Sequence, residues 1–271
     1  MKHTLPDGHQ LYYEVQGNHD APQTLVFLNG LTQTTTAWAG VAFTLGKKYN
    51  LVLVDLLFQG KADAASEPRS FEAHATDVAH LLLSLQLPGV ILIGISFGGA
   101  IVQRVLVNNS ELVQAGVLLS TFADRDAYFD AVCHTWEAAL EAGGTALMVD
   151  VMLPMVLGRS YFLKPVISVE KLRNSNANRS LIRENILHQI AAIKESGNYL
   201  EELSNVQLPV MVVHGEEDQL CPAKAGKAMC AALPNAHLEV IPHAGHTLNL
   251  EAVPVLTKML DAFAARVKQA V

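Results

Sequence analysis

The stretch Leu92–Ile93–Gly94–Ile95–Ser96–Phe97–Gly98–Gly99–Ala100, LIGISFGGA, decides how this chain is read. An apolar run, GVILIG (89–94), leads into it, and a helical pattern, GGAIVQRVLVNN (98–109), leads out. A serine with glycine two residues away on either side, between strand and helix, has a mechanical meaning. The turn strains the serine backbone, side chains at the flanking positions would collide, and the hydroxyl projects from the strand end. The helix N-terminus then aims its dipole and free N–H groups at developing negative charge. The plain alternative is a structural serine in a glycine-rich turn. The strand before Ser96 and the helix after it favour a nucleophile.

Working outward, further apolar runs end at Asn, Asp, Gly, Ser or Pro: TLVFLN (24–29), LVLVD (51–55), AGVLLS (115–120), PVMVVHG (209–215) and HLEVIP (237–242). They do not alternate apolar with polar, which predicts strands covered on both faces. Helical patterns lie between them, among them SFEAHATDVAHLLLSLQL (70–87) with Ser70 as N-cap. Strand–helix alternation predicts a mostly parallel sheet wrapped by helices. HQLYYEVQG (9–17) does alternate and reads as an antiparallel edge. The alternation stops between Thr121 and Val206. That stretch holds helical patterns, DAYFDAVCHTWEAALEAG (126–143) and RSLIRENILHQIAAIKESG (179–197), separated by Pro154, Gly158, Pro165 and a polar run. It reads as a helical cap, residues 122–206, inserted into a core of residues 1–121 and 207–271.

A serine hydroxyl needs a base, and the base needs an orienting acid. VVHGEEDQLCP (212–222) places Asp218 in the loop after a strand, and VIPHAGHTLNLE (240–251) places His246 after the last one. Parallel strands present their C-terminal ends at one edge, where Ser96, Asp218 and His246 can converge. Glu216, Glu217 and Asp124 compete for the acid role, with Asp124 the runner-up. His243 and His246 would need a third ligand to hold zinc, and the loop context argues against it. His243 and His214 read as structural. The oxyanion hole takes the backbone N–H of Phe97 and, from the loop Asn29–Gly30–Leu31–Thr32, that of Leu31. The plain readings of the latter pair are a turn glycine and a core leucine.

Composition narrows the classes. Half of the 271 residues are hydrophobic, only 17% are charged, and the net charge is −7. A large core is expected, and a nucleic-acid or anionic-membrane partner has no electrostatic support. The start, MKHTLPDGHQLYYE, lacks the pattern of a secretory signal. The apolar stretch around Ser96 is too broken to span a bilayer. Three cysteines, Cys133, Cys221 and Cys230, suit reduced thiols in a cytoplasmic protein.

At these residues the sequence resembles the α/β-hydrolase superfamily. FLNGLTQTTTAW, LVLVDLLFQGKAD, LIGISFGGAIVQ, VVHGEEDQLCP and PHAGHTLNLE fall in the superfamily's order over nearly the whole chain. The resemblance implies an α/β fold with an eight-stranded, mostly parallel sheet flanked by helices, a helical cap, and no cofactor or metal. Two places depart from the common pattern: Asn29–Gly30 stands where many members have His-Gly, and Leu57–Phe58 where many have Arg-Gly. Both are similar to the acyltransferases that make the 3-(3-hydroxyalkanoyloxy)alkanoate precursors of rhamnolipids. Members with an aspartate nucleophile are disfavoured by Ser96. Cofactor-free haloperoxidases, enol-lactonases and carbon–carbon bond hydrolases share the triad and stay open.

The first reading is a serine hydrolase that cleaves a small-molecule carboxylic ester through an acyl-Ser96 intermediate. The cap residues Tyr128, Phe129, Trp136, Met152 and Met155 suit an apolar acyl or aromatic group, although packing of the cap on itself explains them as well. The second reading is an acyltransferase moving a (3-hydroxy)acyl group, as from a thioester, to an alcohol. The third is a non-catalytic small-molecule binder on a hydrolase scaffold. Apolar surface on the cap is a candidate homodimer contact.

Overall fold

The computed structural model describes residues 1–270, so Val271, the last residue of the expected core, lies outside the described residues. Eight strands form one sheet: β1 (Lys2–Thr4), β2 (Gln10–Gly17), β3 (Thr24–Leu28), β4 (Asn50–Asp55), β5 (Val90–Ile95), β6 (Ala115–Leu119), β7 (Val210–Gly215) and β8 (Ala236–Ile241). Their order is β1-β2-β4-β3-β5-β6-β7-β8. Pairing is parallel from β4 through β8, while β1 and β2 run antiparallel. The expected alternating strand is β2, which starts the antiparallel edge of the sheet. β1 pairs outside it, with Lys2 opposite Tyr12, and three residues are too few to show a period.

The non-alternating runs are strands with two buried faces, because successive side chains leave a strand on opposite sides. Val26 and Leu28 of β3, Val52 and Val54 of β4 and Leu92 of β5 pack into one core layer with Phe71 and Ile101. Their neighbours Leu25, Phe27, Leu51, Leu53 and Ile93 pack into the other with Trp38 and Leu256. Helices Phe71–Leu85 and Phe97–Asn108 thus cover the first face, and Ala39–Leu45 and Val253–Ala270 the second. The Ser70 hydroxyl caps Phe71–Leu85 by accepting the Ala73 N–H at 3.2 Å.

Between β6 and β7 the described residues form helices only: Ala127–Val156, Arg159–Leu163, Val169–Arg173, Asn176–Arg179, Arg183–Glu195 and Leu200–Leu203. The first is capped by Asp126, whose carboxylate accepts the Phe129 N–H at 3.0 Å. It kinks at Gly144, where φ 68° and ψ −162° are open to glycine. Pro154, expected to break the helix, sits inside it, and the helix ends at Val156. By length and composition this helix is apolar enough to cross a bilayer. Here Phe129, Trp136 and Met148 are buried instead.

His74, on the helix Phe71–Leu85, is fully buried with neither ring nitrogen hydrogen-bonded. Its ring meets those of Phe97 and Phe58 edge-on. Burial, with Arg69 adding to it, lowers its pKa to about 3. The unfolded chain therefore takes up a proton below about pH 6.5 that the native state refuses. This contribution to stability is complete above pH 6.5 and is lost as pH falls toward 3, at up to about 1.4 kcal/mol per pH unit. In thermal melts between pH 7 and pH 4.5, His74→Leu is expected to lose less stability than the parent. Parallel pH curves for the two would refute the assignment.

Candidate active site

Ser96 sits between β5 and the helix Phe97–Asn108, with φ 52° and ψ −113°. Such a conformation costs a non-glycine residue on the order of 1–3 kcal/mol and persists only where its surroundings over-determine it. They do here. The Ser96 N–H donates to the Leu119 carbonyl at 2.8 Å, and the Ser96 carbonyl accepts from the Thr121 hydroxyl at 2.7 Å. A Cβ on Gly94 would lie 2.3 Å from the Gly98 carbonyl oxygen, and one on Gly98 would lie 2.5 Å from that of Leu28. The glycines flanking Ser96 are therefore steric requirements of the turn.

Asp218 and His246 leave the ends of β7 and β8 and meet as expected. His246 Nδ1 lies 2.9 Å from Asp218 Oδ2, with both side chains buried. The other Asp218 oxygen accepts the N–H groups of Leu220 at 3.0 Å and Cys221 at 2.8 Å, which fixes the plane of the carboxylate. Ser96 and His246 line one cavity. Among the described residues no hydrogen bond joins the Ser96 hydroxyl to His246. Contacts of this kind commonly tighten only when substrate is bound.

The competing residues are occupied elsewhere. Glu217 accepts both the N–H and the hydroxyl of Ser160, at 2.7 and 2.6 Å, and these bonds hold its carboxyl below the usual range. Glu216 accepts the His243 N–H. Asp124 is exposed and accepts the Arg125 N–H. The His243 side chain is 79% exposed, which separates it from the buried His246. His214 is buried at the end of β7, with Nδ1 2.7 Å from the Cys221 carbonyl and its pKa lowered by desolvation.

Phe97 is the first residue of its helix, so its N–H has no partner one turn back. In the loop after β3, the Gly30 N–H donates to Gln33 Oε1 and the Gln33 N–H to the Gly30 carbonyl, while Leu31 lines the cavity. The Phe97 ring points away into the core against Phe71. Asn29 holds this loop. Its amide donates to Val54 O at 2.8 Å and Asp55 Oδ1 at 3.0 Å, and it accepts from the Trp38 indole at 2.9 Å. Desolvation raises the Asp55 pKa against the lowering effect of N–H bonds from Lys61 and Thr35.

One residue that spacing did not single out is Glu251. One of its oxygens accepts the N–H groups of Gly158 and Gly245, at 2.8 and 2.9 Å, and the other accepts the N–H and hydroxyl of Thr247, at 3.0 and 2.7 Å. His246 is thereby held between two anchored neighbours, and its own N–H donates to the Val156 carbonyl at 3.0 Å. Neither the helical pattern nor the charge of Glu251 announces this, because all of its partners are backbone and hydroxyl groups in loops.

The cavity has a volume of about 490 Å³. Its wall over Ser96 is built from the inserted helices and includes Phe129, Trp136, Met152, Leu153 and Val156. Of the apolar cap residues expected near substrate, Phe129, Trp136 and Met152 line it, whereas Tyr128 is half exposed and Met155 packs against the core. No group of three or more metal-ligating side chains occurs among the described residues.

Comparison with known proteins agrees with this fold. Residues 23–253 match the model of a family described as the alpha/beta hydrolase fold. The chain is 27% identical over 256 residues to a non-heme chloroperoxidase of Streptomyces lividans, covering 89% of this chain and 91% of that protein. It is 23% identical over 243 residues to an (R)-3-hydroxydecanoyl-ACP:CoA transacylase of Ectopseudomonas oleovorans, covering 85% and 78%. A thermophilic esterase from Thermogutta terrifontis superposes with a TM-score of 0.87 at 22% identity, over 98% of this chain and 97% of that one. With the eight-stranded, mostly parallel sheet that was expected and a family match across most of its length, the chain belongs to the α/β-hydrolase fold family, whose members here are enzymes and mostly hydrolases.

Proposed function

We propose that this protein is a serine hydrolase of carboxylic esters with apolar acyl or aromatic groups. The observation that carries the reading is the buried His246–Asp218 pair on one cavity with Ser96, which is held on a strained turn. In this mechanism the Ser96 hydroxyl attacks the ester carbonyl carbon and passes its proton to His246 Nε2. The N–H groups of Leu31 and Phe97 hold the oxygen that takes up the negative charge. Asp218 keeps the Nδ1 proton in place and stabilises the imidazolium. His246 then protonates the leaving alcohol as the tetrahedral intermediate collapses to acyl-Ser96. A water then attacks the acyl carbon and gives its proton to His246, which passes it to Ser96 Oγ as the acyl–Oγ bond breaks and the acid leaves. Segment 122–206 serves as the cap that shapes the acyl site and keeps it dry. The three cysteines are free thiols, which suits a cytoplasmic setting.

A second reading replaces the water with an alcohol acceptor. The (R)-3-hydroxydecanoyl-ACP:CoA transacylase among the relatives supports it, with a (3-hydroxy)acyl group as the part transferred.

Intact mass after treatment with a fluorophosphonate, followed by product analysis on p-nitrophenyl esters and 3-hydroxyacyl thioesters with and without added alcohol, tests both. The expected result is one adduct per chain and release of free acid. A new ester in the presence of alcohol would select transfer. A folded protein with neither adduct nor turnover would overturn both readings in favour of a binder.

A further inference from the structure

Gln59 follows Phe58 in the loop after β4 and is buried. Its carboxamide is fully used. Nε2 donates to the Gly30 carbonyl at 3.1 Å and to Gln189 Oε1 at 3.1 Å. Oε1 accepts the Leu56 N–H at 3.2 Å and lies 3.3 Å from the Asn29 amide, which shares its two hydrogens with Val54 O and Asp55 Oδ1. Both donors and both acceptor sites are engaged, so a flipped amide would lose the whole set.

The Gly30 carbonyl is one end of the peptide group whose other end is the Leu31 N–H. In a trans peptide these two bonds point in opposite directions. The carbonyl is held by the buried Gln59 and by the Gln33 N–H, so the Leu31 N–H faces away from both, and Leu31 lines the cavity with Ser96 and His246. A hydrogen bond to the carbonyl also polarises the peptide group and strengthens its N–H as a donor. Gln189 extends the arrangement. It lies on the inserted helix Arg183–Glu195, is buried, and anchors its own amide on the Asn185 carbonyl at 3.2 Å.

We infer that Gln59 is a positioning residue that sets the Leu31 N–H for the developing oxyanion, and that through Gln189 it ties this setting to the seating of the cap. The inference rests on the proposed hydrolase reading and adds a residue to it. It makes the oxyanion site sensitive to the cap: when the helix Arg183–Glu195 lifts, Gln59 loses a partner and holds the Gly30 carbonyl, which the Gln33 N–H also holds, less firmly.

The test compares the parent with Gln59→Leu and Gln189→Leu, each first checked by thermal melting. Gln59→Leu is expected to lower kcat about 10- to 100-fold with KM changed less than threefold, short of the roughly 10²–10³ for deleting an oxyanion donor outright. Gln189→Leu, which leaves the Gly30 bond in place, is expected to lower kcat a few-fold in the same direction. The decisive readout is inhibition by an alkyl trifluoromethyl ketone, whose adduct with Ser96 carries an oxyanion. Its affinity is expected to fall in step with kcat/KM, while that of the matching secondary alcohol holds. A purely packing role would weaken both ligands alike and would overturn the inference. So would a Gln59→Leu enzyme that keeps the parent kcat, with the hydrolase reading intact. If Gln59→Leu does not fold, Gln189→Leu decides: parent kcat and parent ketone affinity would refute the tie to the cap and the inference as stated. A parent protein that forms no fluorophosphonate adduct removes the hydrolase reading itself, so the two failures are told apart.

Discussion

Ser96→Ala is expected to lower kcat by about a million-fold on the best ester while leaving the fold and KM near those of the parent. The hydroxyl stands on the cavity wall, on the strained turn and at the helix N-terminus. Its loss leaves the proposed oxyanion donors and the acyl pocket in place, so a residual acceleration of about 10³–10⁴ over water is expected from binding and charge stabilisation alone. The fluorophosphonate adduct disappears in this variant. Alanine keeps the Cβ at φ 52° and removes only the hydroxyl, so the backbone strain is unchanged and little change in thermal stability accompanies the loss of activity. A variant that retains more than a few per cent of parent turnover would place the nucleophile elsewhere.

Asp218→Asn is expected to cost about 10⁴-fold in kcat with KM unchanged. The structure dictates how the new amide sits. The Leu220 and Cys221 N–H groups both point at one side of residue 218 and demand an acceptor there. The asparagine oxygen must therefore face them, and its NH₂ group must face His246 Nδ1. An imidazole that accepts at Nδ1 carries its proton on Nε2, the nitrogen needed to take the proton from Ser96. The variant thus holds His246 in the wrong tautomer within an intact site. Asp218→Ala removes the constraint and is expected to be less impaired at high pH than Asp218→Asn. Equal activity of Asp218→Asn and the parent would transfer the acid role to another carboxylate.

The central strands and the placement of Ser96, Asp218 and His246 at strand ends were legible because each rests on a local signal. Val- and Leu-rich runs without alternation mark doubly covered strands, and a strand, a bracketed serine and a helix mark a sharp turn. The edge strand Lys2–Thr4 was not legible, since three residues show no period. Pro154 misled for a related reason: its sequence signal is local, while the helix around it is held by its buried face. Gln59 and Glu251 escaped altogether. Each is a polar residue whose partners, backbone groups and polar side chains, lie as far as 130 residues away for Gln59 and 93 for Glu251, and such partners exist only once the segments have been brought together.

The loop of His246 and the end of the first cap helix cross at a pair of glycines. A Cβ on Gly245 would lie 2.2 Å from the Gly158 nitrogen, and one on Gly158 would lie 2.7 Å from the Gly245 nitrogen. Glu251 then bridges both N–H groups. These three positions form a joint, and a joint limits how the protein can be rebuilt by recombination. A cap grafted from a relative must bring a glycine at its own equivalent of 158, or the histidine loop and its glutamate must travel with it. Chimeras cut between Gly158 and the rest of the cap preserve the joint. Those cut before it set the relative's residue at 158 against Gly245, and any residue but glycine there drives its Cβ into the histidine loop.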